Sequence, residues 1–111
     1  MTKQEAIDES IEHHERMSAW VEGLSDKEKR RRPDSMDMLA AIEVTWSAAY
    51  CALCRKTPGD CEENPHVCSL SAEYGPCGFS GENAWGSLNR AKTWKGWLYH
   101  DRRLIKQLKS L

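Results

Sequence analysis

The chain has 111 residues, 16 Lys and Arg against 17 Asp and Glu for a formal net charge of −1, five Cys and five Trp. That length accommodates one domain with a single modest core. The near-neutral total excludes a uniformly basic or acidic chain, and the odd cysteine count excludes complete disulfide pairing within one molecule.

Met1-Thr2-Lys3-Gln4-Glu5 lacks the apolar run of a signal peptide, and no stretch approaches the roughly 20 apolar residues of a membrane span. The expectation is one soluble domain, 1–111, without a membrane partner, in a reducing cytoplasm where clustered cysteines favour metal over disulfide. Thr2-x-x-Glu5 has the form of a capping box. Ile7, Ile11, His14, Ser18 and Val21 then recur at steps of four and three, with Met17 and Leu24 widening the face, which predicts a helix over 3–23. Glu5, Asp8, Glu12, Glu15 and Glu22 make its flank acidic. His13 and His14 lack H-E-x-x-H spacing, and adjacent helical residues point about 100° apart, so they read as surface polar groups.

Gly23 can end that helix, and Ser25-x-x-Glu28 is a second capping box, opening a short helix over 25–32. Lys29-Arg30-Arg31-Arg32 then meets Pro33, which lacks an N–H and stops the helix. This run can contact phosphate, but a charged linker also explains it. Asp34 or Ser35 can cap the next helix, 35–54, whose apolar side reads Met38, Leu39, Ile42, Trp46, Ala49, Tyr50 and Leu53. From 55 to 81 turn chemistry takes over at Pro58-Gly59, Asn64-Pro65 and Gly75-Pro76. A loop of that length is uncommon in a compact domain unless something ties it down.

Helix returns over 82–110, where Trp94, Trp97, Leu98, Leu104, Ile105, Leu108 and Leu111 form one stripe. Gly86 and Gly96 inside it mark close packing or a kink, since each costs roughly 1 kcal/mol relative to alanine. Trp46 and Trp94 fit apolar faces. Trp20 and Trp85 fit theirs less well, and an exposed tryptophan would be a candidate interface anchor.

The cysteines follow C-x2-C-x6-C-x6-C-x8-C within 51–77. Zinc takes four thiolate or imidazole ligands in a tetrahedron, and a C-x2-C pair is its usual half-site. Cys51 and Cys54 supply one half. The other comes from Cys61 and Cys68, with Cys77 or His66 as substitute ligands, and spacing leaves the pairing open. A redox C-x-x-C favours a helix N-terminus, where the dipole stabilises a thiolate. This pair closes a predicted helix at the opposite end, so structural zinc is the expected cofactor, ahead of disulfides or redox activity.

Cys51-Ala52-Leu53-Cys54, Asp60-Cys61, Cys68-Ser69-Leu70, Gly75-Pro76-Cys77 and the downstream Trp85 resemble a family of small, cysteine-rich proteins encoded by phages and prophages. The likeness spans 46 to about 98. It departs from the family pattern in the wider Cys61–Cys68 spacing and in Ser69, where the family has proline. The resemblance implies a phage source and a metal loop between two helices, without implying an activity.

The net charge conceals a division. Residues 1–84 hold nine Lys and Arg against sixteen Asp and Glu, a balance of −7; residues 85–111 hold seven basic residues and Asp101 alone, +6. Lys92, Lys95, Arg102, Lys106 and Lys109 form one stripe with Tyr99 in its gap. Such a line can track phosphates or an acidic protein surface, and the acidic face of the first helix offers it an intramolecular or homodimeric partner. A solvated amphipathic helix presents the same pattern.

The expected fold is all-α: a three-helix arrangement in which the N-terminal helix packs on an antiparallel pair (35–54 and 82–110) joined by a long zinc-ordered cysteine-rich loop. No nucleophile, base and oxyanion donor assemble, so the expected protein is not an enzyme. The leading expectation is a phage-derived accessory protein that binds a host protein in the host cytoplasm, as an inhibitor of a defence or metabolic system. The alternative is a nucleic-acid-binding module using the basic C-terminal helix.

Overall fold

A computed structural model describes residues 3–46, 74 and 84–111. Among these the chain is helical without strands, as the periodicity predicts: α1 (Lys3–Glu22), α2 (Asp26–Lys29), α3 (Ser35–Ile42), α4 (Ala84–Asn89) and α5 (Trp94–Lys109). Thr2, and with it the first capping box, lies outside the described residues, as do residues 47–73 and 75–83.

α1 buries Ala6, Ile7, Ser10, His14, Met17, Ser18 and Val21, the three-and-four rhythm legible in the sequence. Its last turn closes where the Gly23 N–H donates to the carbonyls of Ala19 and Trp20, each at 3.2 Å. Both halves of the Ser25/Glu28 capping box form: the Glu28 N–H donates to Ser25 Oγ at 3.2 Å and the Ser25 N–H to Glu28 Oε1 at 3.3 Å. The helix they open is shorter than the predicted 25–32 and ends at Lys29. Beyond it the chain crosses the start of α5, where the Trp94 N–H donates to the Arg31 carbonyl at 2.9 Å. That bond satisfies a backbone donor which the first turn of a helix leaves without an internal partner.

Asp34 caps α3, its Oδ1 accepting the Met36 N–H at 2.9 Å. The predicted helix over 35–54 is corrected in its described part: α3 stops at Ile42 because Glu43 adopts the left-handed conformation (φ 65°, ψ 10°), its N–H returning to the Leu39 carbonyl at 2.9 Å. The predicted helix over 82–110 is likewise two helices. Thr93 breaks it by capping α5, with Oγ1 accepting the Gly96 N–H at 3.0 Å. Gly96 thus belongs to a cap, whereas Gly86 is buried in α4.

α5 is the hub, packing chiefly on α1 and α4 and also touching α2. Ion pairs Glu15–Lys109 and Glu22–Arg102 show that α1 and α5 run antiparallel. The main antiparallel partner of α5 among the described helices is therefore α1, not α3, and residues 47–54 of the predicted partner lie outside the described residues. The core gathers Met17, Val21, Met38, Leu88, Trp97, Leu104 and Leu108. At one end Trp20, Trp46, Trp94 and Trp97 interlock, with centroids 5.3–5.8 Å apart for Trp20–Trp94, Trp46–Trp94, Trp46–Trp97 and Trp94–Trp97. Edge-on or tilted pairs of this kind add about 0.5–1.5 kcal/mol each beyond area burial. Trp20 and Trp85 are half-buried against the core, and the Trp85 Nε1–H donates to the Trp46 carbonyl at 3.0 Å. Neither is the exposed anchor considered above.

Candidate nucleic-acid interface

The rotation of α5 about its own axis decides which side chains face solvent, and a buried polar joint fixes that rotation. Asp101 is fully buried within the apolar stripe of α5. Its Oδ1 accepts from His14 Nδ1 at 2.6 Å and its Oδ2 from the Ser18 hydroxyl at 2.5 Å. A buried carboxylate is costly unless its oxygens are paired, so the Asp101 side chain must face Ser18 and His14 on α1. This corrects the reading of His13 and His14 as surface polar groups: His14 is 2% exposed, and His13 is half-buried with Nε2 donating to the Thr45 carbonyl at 2.9 Å. Burial pulls the His13 imidazole below its usual 6.5, and neighbouring His14 pulls the same way. The Asp101 carboxylate stands between serine and histidine, and all three groups are buried, which makes the joint a structural clamp.

With Asp101 turned inward, Lys95, Tyr99 and Arg102 turn outward. The Arg31–Trp94 hydrogen bond lays the 29–33 segment beside them. A groove of about 700 Å³ opens on one side of that segment, with cations Lys29, Arg30, Lys95 and Arg102 and acids Glu22 and Asp26 on its walls, above Leu98 and Tyr99. On the other side a groove of about 510 Å³ is lined by Arg32, Arg90 and Lys92 together with Pro33, Trp46, Leu88, Asn89 and Ala91, with no acid among its walls. The basic run before Pro33 thus lines each groove together with cations from the C-terminal part of the chain: Lys29 and Arg30 with Lys95 and Arg102 in the first, Arg32 with Arg90 and Lys92 in the second. Burial, and then the neighbouring guanidinium groups of Arg103 and Arg90, lower the His100 pKa as well.

Of the five stripe residues, Lys92, Lys95 and Arg102 line these grooves. Arg102 also pairs with Glu22, and Lys109 pairs with Glu15 at 3.2 Å, so the acidic flank of α1 is an intramolecular partner for these two members of the basic line. Lys106 is exposed and lines neither groove. Lys29, Arg30, Arg32 and Arg90 complete the cationic lining of the two grooves. The basic run before Pro33 was visible in the sequence as a linker, and no periodicity could show that it returns to the start of α5.

The zinc ligand set, Cys51, Cys54, Cys61 and Cys68 with Cys77 and His66 as substitutes, lies outside the described residues. Among the described residues no three His, Cys, Asp or Glu side chains are grouped to hold a metal, and no helix is long and apolar enough to cross a membrane. No protein family, curated protein or solved structure matches the chain.

Proposed function

We propose that the protein is a non-enzymatic nucleic-acid-binding module. The observation that carries the reading is that the basic run 29–32 meets C-terminal cations in two grooves, Lys29 and Arg30 with Lys95 and Arg102 in one and Arg32 with Arg90 and Lys92 in the other. Like charges held this close repel one another, and a polyanion relieves that repulsion while releasing its own condensed counterions. Among the described residues only Met36 and Tyr99 are large, hydrophobic and exposed. Interfaces with nucleic acid are the more polar and more positive class. A structural zinc held by the cysteine segment is part of the proposal, supported by the C-x2-C half-site and the surplus of thiols.

Binding of a fluorescent oligonucleotide between about 50 and 200 mM salt tests this reading, because log affinity falls linearly with log salt in proportion to the phosphates neutralised. Arg30→Ala and Lys95→Ala are each expected to flatten that slope by about 1. Absent binding, or binding indifferent to salt, would overturn it. An acidic host protein is the second reading, favoured by the separation of −7 and +6 along the chain. It predicts a stoichiometric protein partner recovered from nuclease-treated host lysate.

A further inference from the structure

The geometry points to single-stranded nucleic acid as the ligand, with the two grooves beside residues 29–33 as neighbouring nucleotide seats and Tyr99 as the stacking platform of the first. This rests on the nucleic-acid reading above and specifies it. The first observation is where the aromatic residues stand. The five tryptophans and Tyr74 are buried or half-buried, yet Tyr99 is 63% exposed. It stands in the larger groove, on the α5 face it shares with Lys95 and Arg102, one turn to either side. An exposed aromatic ring flanked by cations offers a base a π-face and its phosphate a counter-charge, the combination that single-strand binders use.

The second observation is the shape of the surface. Duplex DNA is read by an element that projects into its groove, whereas here residues 29–30 line one hollow and residues 32–33 another. Their volumes, about 700 and 510 Å³, fall in the range of small-ligand sites. Each hollow combines cations with one aromatic residue, Tyr99 in the first and half-buried Trp46 in the second. Arg30 belongs to one hollow and Arg32 to the other, and two residues span at most about 7 Å of chain. Consecutive nucleotides of one strand can therefore occupy both hollows, with the phosphate between them near residue 31. A paired and stacked duplex cannot send its bases into either.

The 29–33 segment is tied to α5 by the Arg31–Trp94 bond, and the first hollow is lined by buried Leu98, so the seats exist before the ligand arrives. Glu22 and Asp26 oppose an anion there, and the pairing of Glu22 with Arg102 draws that guanidinium toward α1.

The test compares a fluorescent oligothymidine with a duplex of equal length at one salt concentration, using the whole chain and variants whose helicity is checked by circular dichroism. The single strand is expected to bind at least tenfold more tightly than the duplex. Tyr99→Ala should weaken single-strand binding by about 5- to 100-fold, Tyr99→Phe should retain it, and neither should alter the duplex affinity. Arg32→Ala should weaken the single strand without affecting stacking at Tyr99, read as unchanged protection of that ring from iodination in the complex. A duplex preference, or a Tyr99→Ala variant that binds the single strand normally, overturns the inference and leaves the nucleic-acid reading standing. Binding to neither probe retires both.

Discussion

Asp101 sits where a leucine would complete the stripe Trp94, Trp97, Leu98, Leu104, Leu108. It is tolerated there because both carboxylate oxygens are paired with α1 groups. Removing it strands two buried donors, each worth about 1–3 kcal/mol when unsatisfied. Asp101→Ala is therefore expected to lower unfolding stability by about 3 kcal/mol in urea titration. Replacing Asp101, His14 and Ser18 together by apolar residues of similar volume should restore much of that loss, as buried polar clusters often trade evenly against packed hydrocarbon. If the triple variant is as unstable as the single one, the cost comes from packing and not from stranded donors. The sequence did carry a signal for this joint. Asp101 is the single acid among residues 85–111 and falls at the spacing of the apolar stripe, while His14 and Ser18 occupy the apolar face of α1. Each of those residues was visible alone. Their meeting depends on α5 packing antiparallel to α1, a long-range pairing that helical periodicity does not encode.

At the scale of elements, what could be read from the chain was whatever is local. The stripe of α1, the Ser25/Glu28 box and the Asp34 cap all rest on residues within four positions of one another, and all form as their spacing predicts. Helix ends that depend on one backbone conformation were not legible. The apolar rhythm runs on from Ile42 through Trp46, so nothing in it announces that α3 stops. Glu43 ends it by taking φ 65°, and it is the one non-glycine residue with positive φ among the described residues. A left-handed conformation costs an L-residue about 1–2 kcal/mol, and Glu43 is exposed, so its side chain recovers little of this. Glycine adopts that conformation freely but loses more chain entropy on folding. The balance predicts that Glu43→Gly stabilises the protein by about 0.5–1 kcal/mol, read as a higher urea midpoint at unchanged slope. A lower midpoint would mean that Glu43 makes a favourable interaction which outweighs the strain.

Across the whole molecule, the −1 total is a cancellation that the fold reorganises. α1 neutralises the far end of the basic line through Glu15–Lys109, while the near end is joined by Lys29, Arg30 and Arg32. The other large-scale feature is the cysteine segment. The described residues on either side of that segment are tied to each other and to α5: Trp85 Nε1–H donates to the Trp46 carbonyl at 3.0 Å and the Ala84 N–H to Gln107 Oε1 at 3.2 Å. Tyr74 adds a hydroxyl contact with Ser110. Closing a long loop costs conformational entropy that grows only slowly with its length. A bound zinc that cross-links the segment would offset this cost, because metal binding to a site absent from the unfolded chain is itself folding free energy. The expected result is one metal-sized increment per chain in native over denatured mass, lost in Cys51→Ser and on chelation. Chelation should lower the melting temperature while leaving most far-ultraviolet ellipticity, since α1 and α5 carry no cysteine. A mass deficit of paired hydrogens in place of the increment would assign the cysteines to disulfides, and neither change would remove the metal from the proposal altogether.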